Sequence, residues 1–477
     1  MDALRKKQAY LFYALFALGC WGAIYFGQIV GLAALLALGV AFGLIAYPAL
    51  LFLILVASIP WSIEYSVTPS LATDLPDEPL MLLMSFVVVA LLVQRGKKWE
   101  GRLLSSMLFV VLLLQVGWYA VSAALSSHTL ISFKYLLAKG WYLLAFVGAP
   151  LLLLRERKDY VRLGAVLLVS MVAFTLLVLV RHGSNGFTFE STNASLEPFF
   201  RNHVNYSALL VVMVPILLAF LSFTTATYKR ALLILLLIVL LGALYLSFAR
   251  GAWLALFVGA AAYWLLRKRL LVWAYITALL LVIGALFWLK TDNRYLRFAH
   301  DYETTVFHTD FREHLLATYQ LKDVSTAERF YRWIAGVRMI KDTWQTGYGP
   351  NTFYYHYQRY TVPAFKTWVS KNEDRSTVHN YFLLTIIEQG VIGLLLLLFL
   401  FGYMFYTAQR LFHAMQDKFG QVVMATLAVI LSMICTVNFL SDLIETDKVG
   451  SVFYICLAIL IIGELKARST SKLSAHV

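Results

Sequence analysis

Arg250 sits in Ser247-Phe-Ala-Arg250-Gly251, a hairpin of almost no length between two apolar runs. A guanidinium there has little room for a solvated loop. It faces the membrane interface or a cavity, where its planar fork suits phosphate oxygens. An arginine that merely snorkels to the headgroups has no need of a tight glycine turn, which favours the phosphate-gripping reading. Arg201 opens Arg201-Asn-His203-Val-Asn205-Tyr at the start of another apolar run. An interfacial arginine is ordinary at that place and a phosphate ligand equally so. Lys134 and Lys139 lie within Ile131–Leu154, which otherwise reads as one span. Lys139 falls ~7.5 Å deeper than Lys134 at the helical rise per residue. Lys134 can snorkel outward, whereas Lys139 points to a polar cavity. The pair could hold a pyrophosphate, and could equally pair with Glu64 or Asp442. His379, in Ser376-Thr-Val-His379-Asn380-Tyr381, stands where a long polar segment re-enters an apolar one. Imidazole titrates near neutrality and is the usual general base, although a lone histidine is more often structural.

Several familiar chemistries lack their residues. There is no Walker A sequence and no G-x-S-x-G elbow. No D-x-D occurs, and the nearest approach to an acidic metal-holding pair is Asp301-Tyr-Glu303. No second histidine lies at zinc-ligand spacing from His379. Arginines and a histidine acting without metal or cofactor fit the chain better.

These residues must be positioned by membrane-spanning helices. The chain has 477 residues, 61% hydrophobic and only 14% charged, with a mean hydropathy of +0.74. Soluble domains are about half apolar and about a quarter charged. Charge-free runs such as Ala231–Leu246 and Val391–Phe401 are continuous rather than alternating, which selects helices over a barrel. The net charge of +14 does not indicate nucleic acid, because many basic residues sit in short loops between spans, as the positive-inside rule requires. Cys20, Cys435 and Cys456 all fall in apolar segments and read as small core residues. No A-x-A-like cleavage site follows the first apolar run, so no signal peptide is expected.

Arg5, Lys6 and Lys7 place the N-terminus in the cytoplasm. Basic clusters at 95–102, 155–162, 229–230, 267–269 and 466–472 alternate with loops of opposite character, among them Ile63–Pro79, Arg181–Asn202, Lys290–His379 and Ser441–Lys448. From residue 80 onward this gives about eleven crossings and a cytoplasmic C-terminus. The first sixty residues add one to three more, for about 12 to 14 spans, with Gly27 and Pro48 as turn or kink points. The expected fold is an all-α membrane bundle. It divides into an N-terminal bundle (1–289), an external helical loop domain (290–379), and C-terminal helices with a short tail (380–477). Within the loop, Ser325–Asp342 reads as an amphipathic helix capped by Ser325 or Thr326, with Glu328 at capping-box spacing. Phe330, Ile334, Val337 and Ile340 would form its apolar face, and Arg329, Arg332 and Lys341 its basic complement. Gly347-Tyr-Gly349-Pro350 ends it.

Taken in order, Ser247-Phe-Ala-Arg250-Gly251-Ala-Trp253, Glu328-Arg329-Phe-Tyr-Arg-Trp333, Gly347-Tyr-Gly349-Pro-Asn-Thr-Phe353, His379-Asn380-Tyr-Phe-Leu and Glu388-Gln-Gly390-Val-Ile-Gly393 form a recognisable series. It resembles the O-antigen ligase/polymerase superfamily over about residues 200–395, and by span layout elsewhere. The resemblance implies a GT-C-like helical bundle in the bacterial inner membrane, with the active site facing the periplasm. It implies transfer of a glycan en bloc from undecaprenyl pyrophosphate to a sugar hydroxyl of lipid A-core, with inversion and without metal or nucleotide. His379 matches the family's functional histidine and Arg250 its arginine; Arg201 matches less exactly. Arg201 and Arg250, helped by Lys139 and Lys134, would hold the pyrophosphate. His379 would take or orient the acceptor proton. Arg329, Arg332 and Asn380 would meet the sugars. The nearest rivals share the donor and differ in acceptor: an O-antigen polymerase or a protein O-oligosaccharyltransferase. A non-catalytic transporter of lipid-linked glycans is the rival of another class. It would call for inverted repeats, and none is seen in the sequence.

Overall fold

The computed structural model describes residues 45–68, 71–95, 102–292, 324–363 and 376–474, with Arg294, Lys366 and Ser370 as single positions. Gly27, the basic N-terminus and Asp301-Tyr-Glu303 lie outside the described residues. The helices are α1 (Pro48–Ser58), α2 (Asp77–Arg95), α3 (Met107–Ala124), α4 (Thr129–Leu153), α5 (Arg157–Ser184), α6 (His203–Phe223), α7 (Thr227–Leu246), α8 (Arg250–Arg267) and α9 (Leu271–Lys290). After them come α10 (Val324–Thr343), α11 (Tyr381–Ala414), α12 (Lys418–Phe439) and α13 (Asp447–Ser474). Ten helices among the described residues are long and apolar enough to cross a membrane. α8 lies between two of them. Its 18 residues reach about 27 Å at the helical rise, but it is less apolar than the ten. The protein is an all-α, multi-pass membrane protein. Pro48 stands at the first position of α1, just after a break at Tyr47 that follows helical Ile45 and Ala46, a place where a proline's missing N–H costs nothing.

Two features depart from the expected layout. Ile63–Thr68 and Leu71–Leu75 form an antiparallel hairpin, β1 and β2, where an irregular loop is expected. α4 carries a π-helical turn at Leu144–Gly148, which lets one span continue past a local change in register.

α13 lies at the centre, with 94% of its membrane window buried, whereas α9 has 6% of its window buried and turns Leu280, Leu281 and Phe287 outward. A helix apolar all round can serve as core or face lipid. Small residues decide the closest crossing. On α8 the buried face is Ala252, Ala255, Gly259 and Ala262, and a Cβ on Gly259 would stand 2.3 Å from Met433 Cε on α12. Such faces let helix backbones approach in lipid.

A second core lies at one end of the bundle, where Tyr331, Ala335 and Met339 of α10 pack with Phe353, Tyr357, Val378, Leu384 and Ile387. α10 forms close to where its sequence predicts, but it takes in Ser325 and Thr326 rather than being capped by them. Its buried face is also rotated from the expected one. Val337 is exposed, while Glu328 and Arg332 are buried, because the two charges satisfy each other there.

α11 breaks at Gly390, where φ is 68° and ψ is −171°. The carbonyls freed by the break accept from the glycine turn after α10: Tyr348 N–H donates to Ile387 O at 3.0 Å and Gly349 N–H to Glu388 O at 2.9 Å. The buried Glu388 carboxylate accepts the backbone N–H groups of Asn351, Thr352 and Phe353 at 2.9–3.0 Å. Irregular backbone in a membrane protein needs this kind of internal satisfaction. Gly347 must be glycine: its φ is +72°, and a Cβ would lie 2.2 Å from Glu388 C.

Candidate active site

α10 grips the segment that carries His379. Arg332 Nη1 donates to Thr377 O at 3.1 Å, and Trp333 Nε1 donates to Val378 O at 2.9 Å. His379 itself has φ of 53°, a left-handed conformation that a non-glycine residue keeps only when its surroundings enforce it. Its Nε2 lies 3.0 Å from Arg332 Nη1, and its Nδ1 lies 3.9 Å from Asp442 Oδ1. The Thr377 hydroxyl donates to the other Asp442 oxygen at 2.6 Å. About a third of the histidine side chain remains exposed (34%). Burial, then the Arg332 and Arg329 guanidinium groups, lowers the imidazole pKa to about 3, so the ring is neutral at physiological pH. Burial raises the Asp442 carboxyl above the usual range, against the Thr377 bond, which pulls it down.

Asn380 caps α11. Its Oδ1 accepts Leu383 N–H, and its Nδ2 donates to Phe439 O at the end of α12, both at 2.9 Å. Tyr381 N–H donates to Ser441 O at 2.9 Å. One Nδ2 donor and one Oδ1 lone pair of Asn380 are thus taken up in holding α11 to α12, which leaves the second donor and the second lone pair of the amide. Arg329, one position before Phe330 on α10, is half-buried.

The loop between α12 and α13 joins this cluster to a second one. Past Asp442, Glu445 lies 3.2 Å from Lys139 Nζ and accepts from the Tyr135 hydroxyl. Lys139 Nζ also lies 5.4–5.8 Å from the ring centres of Tyr135, Tyr142 and Tyr454, within cation–π range. Lys448 Nζ donates to Ile59 O at 2.7 Å and Ser62 O at 3.0 Å, which ties the loop to the chain entering β1. Tyr135, Lys139, Glu445 and Asp447, with Glu64 and Asp74 of the hairpin, line a cavity of about 280 Å³. Lys134, five residues from Lys139, is exposed, as a snorkelling residue should be.

Arg201 meets Glu64 in a fork-to-fork pair, with Nε 3.0 Å from Oε2 and Nη2 2.8 Å from Oε1. Both side chains are largely exposed, at 72% and 42%. Burial, then Asp447 and Glu64, raises the neighbouring Asp74 to about 6. Arg250 is the first residue of α8, half-buried, at a helix start whose cap residue Ala249 supplies no side-chain bond. The left-handed residue in its turn is Phe248, φ 53°, and not Gly251, which lies inside α8. A Cβ on Gly251 would stand 3.4 Å from Leu440 Cδ1, so the glycine helps seat the start of α8 beside the end of α12.

The structure thus brings His379, Arg332 and Asn380 together, sets Arg201 and Lys139 around the acidic cavity, and places Arg250 beside the α12 terminus that leads to Asp442. Sequence reasoning left out Glu445, Lys448 and Glu388 as partners. Lys139 takes Glu445 in place of the expected Glu64 or Asp442. The signal was a faint one: Ser441–Lys448 carries Asp442, Glu445, Asp447 and Lys448 within eight residues between two apolar runs.

The fold and this site define a polytopic α-helical membrane protein with a histidine, arginines and carboxylates gathered at one end of the bundle. Residues 235–398, about a third of the chain, match the family model described as O-antigen ligase, so that segment is similar to the O-antigen ligase family. Members of that family are glycosyltransferase-like enzymes. The match takes in Arg250, α10, the glycine turn, His379 and Glu388, and stops before Asp442 and Glu445. No curated protein matches the chain.

Proposed function

We propose that this protein is an O-antigen ligase of the bacterial inner membrane. It transfers a glycan en bloc from undecaprenyl pyrophosphate to a sugar hydroxyl of lipid A-core, with its site facing the periplasm and both termini in the cytoplasm. The observation that carries the reading is the placement, within or beside the family-matched segment, of a cation at a helix start and a histidine next to a carboxylate.

The leaving pyrophosphate needs positive charge that is in place before the bond breaks. Arg250 supplies a guanidinium at the positive end of α8, where anions are favoured. Arg201 can exchange Glu64 for phosphate oxygens at little cost, because an exposed ion pair is worth about 0–1 kcal/mol. Lys139 would have to leave Glu445 in a buried setting, which makes it a weaker phosphate ligand than the arginines, and Lys134 is the outermost of the four. His379 takes the proton of the acceptor hydroxyl or orients that hydroxyl as its oxygen attacks the anomeric carbon. Inversion follows from a single displacement, and the step as written uses no metal. Arg329 and the aromatic residues of the loop domain offer hydrogen bonds and stacking faces to the sugars.

The test is an in vitro transfer assay with the purified full chain, a lipid-pyrophosphate-linked glycan, lipid A-core and EDTA. We expect glycosylated lipid A-core from the wild type and at least a hundredfold less from Arg250→Ala with unchanged membrane insertion. Normal transfer by Arg250→Ala would remove the core of this reading. Extension of the donor glycan, or transfer to protein, would make the chain a polymerase or oligosaccharyltransferase of the same superfamily. Absence of donor turnover with every acceptor would favour a transporter.

A further inference from the structure

We propose that Arg332, anchored by Glu328, is a positioning residue that fixes His379 in the tautomer carrying its proton on Nδ1 and turns that N–H toward Asp442. The inference rests on the reading of His379 as the group that meets the acceptor hydroxyl, but its geometry stands independently of it. Arg332 and Glu328 are 5% and 6% exposed in the body of α10. They pair one helical turn apart, Nη2 to Oε2 at 3.3 Å, and Glu328 Oε1 accepts from the Ser370 hydroxyl. A buried arginine paired in this way is fixed in direction. Its Nη1 bonds Thr377 O and meets His379 Nε2.

Guanidinium has no acceptor, so the 3.0 Å contact requires Nε2 to offer its lone pair. A neutral ring then carries its single proton on Nδ1. The Nδ1–Asp442 separation of 3.9 Å is too long for a direct hydrogen bond. It suits two groups that share a third oxygen, the N–H donating to it and the carboxylate accepting from it. In this arrangement His379 orients the acceptor hydroxyl, and Nε2 is withheld from proton transfer while Arg332 stays. The charged groups facing the ring are Arg332 and Arg329 from α10, with Glu328 behind Arg332, and Asp442 from the loop before α13. The two arginines oppose imidazolium formation, whereas Asp442 favours it.

The experiment is ¹⁵N NMR of histidine-labelled full-length protein in detergent or nanodiscs between pH 5 and 8, with His379→Ala to assign the signal. The wild type is expected to show an unprotonated Nε2 and a protonated Nδ1 throughout that range. Arg332→Met should shift the signal toward the ordinary tautomer mixture and make it titrate nearer the unperturbed histidine value. Arg332→Lys keeps a charge and a donor, and should fall between the two; it also serves if the Met variant does not fold. In the transfer assay, Arg332→Met should lower kcat at least tenfold with KM little changed, and bring an acid limb into the pH profile near 6. An Nε2–H signal in the wild type, or a signal unmoved by either Arg332 variant, would overturn the proposal. If the tautomer and its dependence on Arg332 hold while the wild type transfers no glycan, the functional reading fails and the positioning role survives.

Discussion

Lys139 and Glu445 meet as an ion pair at 3.2 Å, with the lysine side chain 7% and the glutamate 18% exposed. Their charges cancel in a wall of the acidic cavity. Removing one partner strands the other in a low-dielectric site, at a cost on the order of 3 kcal/mol. Lys139→Met and Glu445→Gln should each lower the thermal midpoint of the detergent-solubilised protein by several degrees. The double variant should recover part of the loss. Losses that simply add in the double variant would show that the two side chains are not energetically coupled.

The break in α11 makes a second, backbone-level prediction. A Cβ on Gly390 would lie 2.1 Å from Gln345 O, at a φ of +68°. Gly390→Ala should therefore cost about 1–3 kcal/mol for the left-handed conformation, and more for the displaced turn. Gly242→Ala is the control, because nothing lies within 4 Å of its Cβ position and alanine is the better helix former. Thermal midpoints decide the matter: equal midpoints for the Gly390 variant and the wild type would mean that the glycine turn and the α11 break do not depend on each other.

Asp74 gives a pH dependence. Its folded pKa is about 6 against an ordinary 3.8, so between these values the folded protein holds a proton that the unfolded chain has released. Stability then falls as pH rises through that window, and the deficit is complete above about pH 6. Asp74→Asn removes the term and should raise the midpoint at pH 7.5, on the order of 1–2 kcal/mol after allowance for partial exposure. The gain should shrink toward pH 4. A gain that does not change with pH would assign the effect to something other than ionisation.

By itself the sequence determined what is local. Continuous apolar runs broken by basic loops specify helices and their alternation. α10 and the Gly347–Pro350 turn were legible because periodicity and glycine act over a few residues. The depth of Lys139 relative to Lys134 followed from helical rise alone. Partnership was a different matter. Lys139 and Glu445 lie 306 positions apart, and nothing in either segment names the other. Arg332 read as part of the basic complement of α10, set to meet the sugars, because its neighbours on α10 give no sign of His379, 47 positions on. A charge can be buried only if tertiary structure delivers its counter-charge and hydrogen bonds, and that depends on which helix ends meet. The sequence therefore carried the candidate chemistry and its order along the chain. The packing of α10 on α11, and of the α12–α13 loop against α4, decided which groups touch, which of them are neutralised, and which way His379 faces.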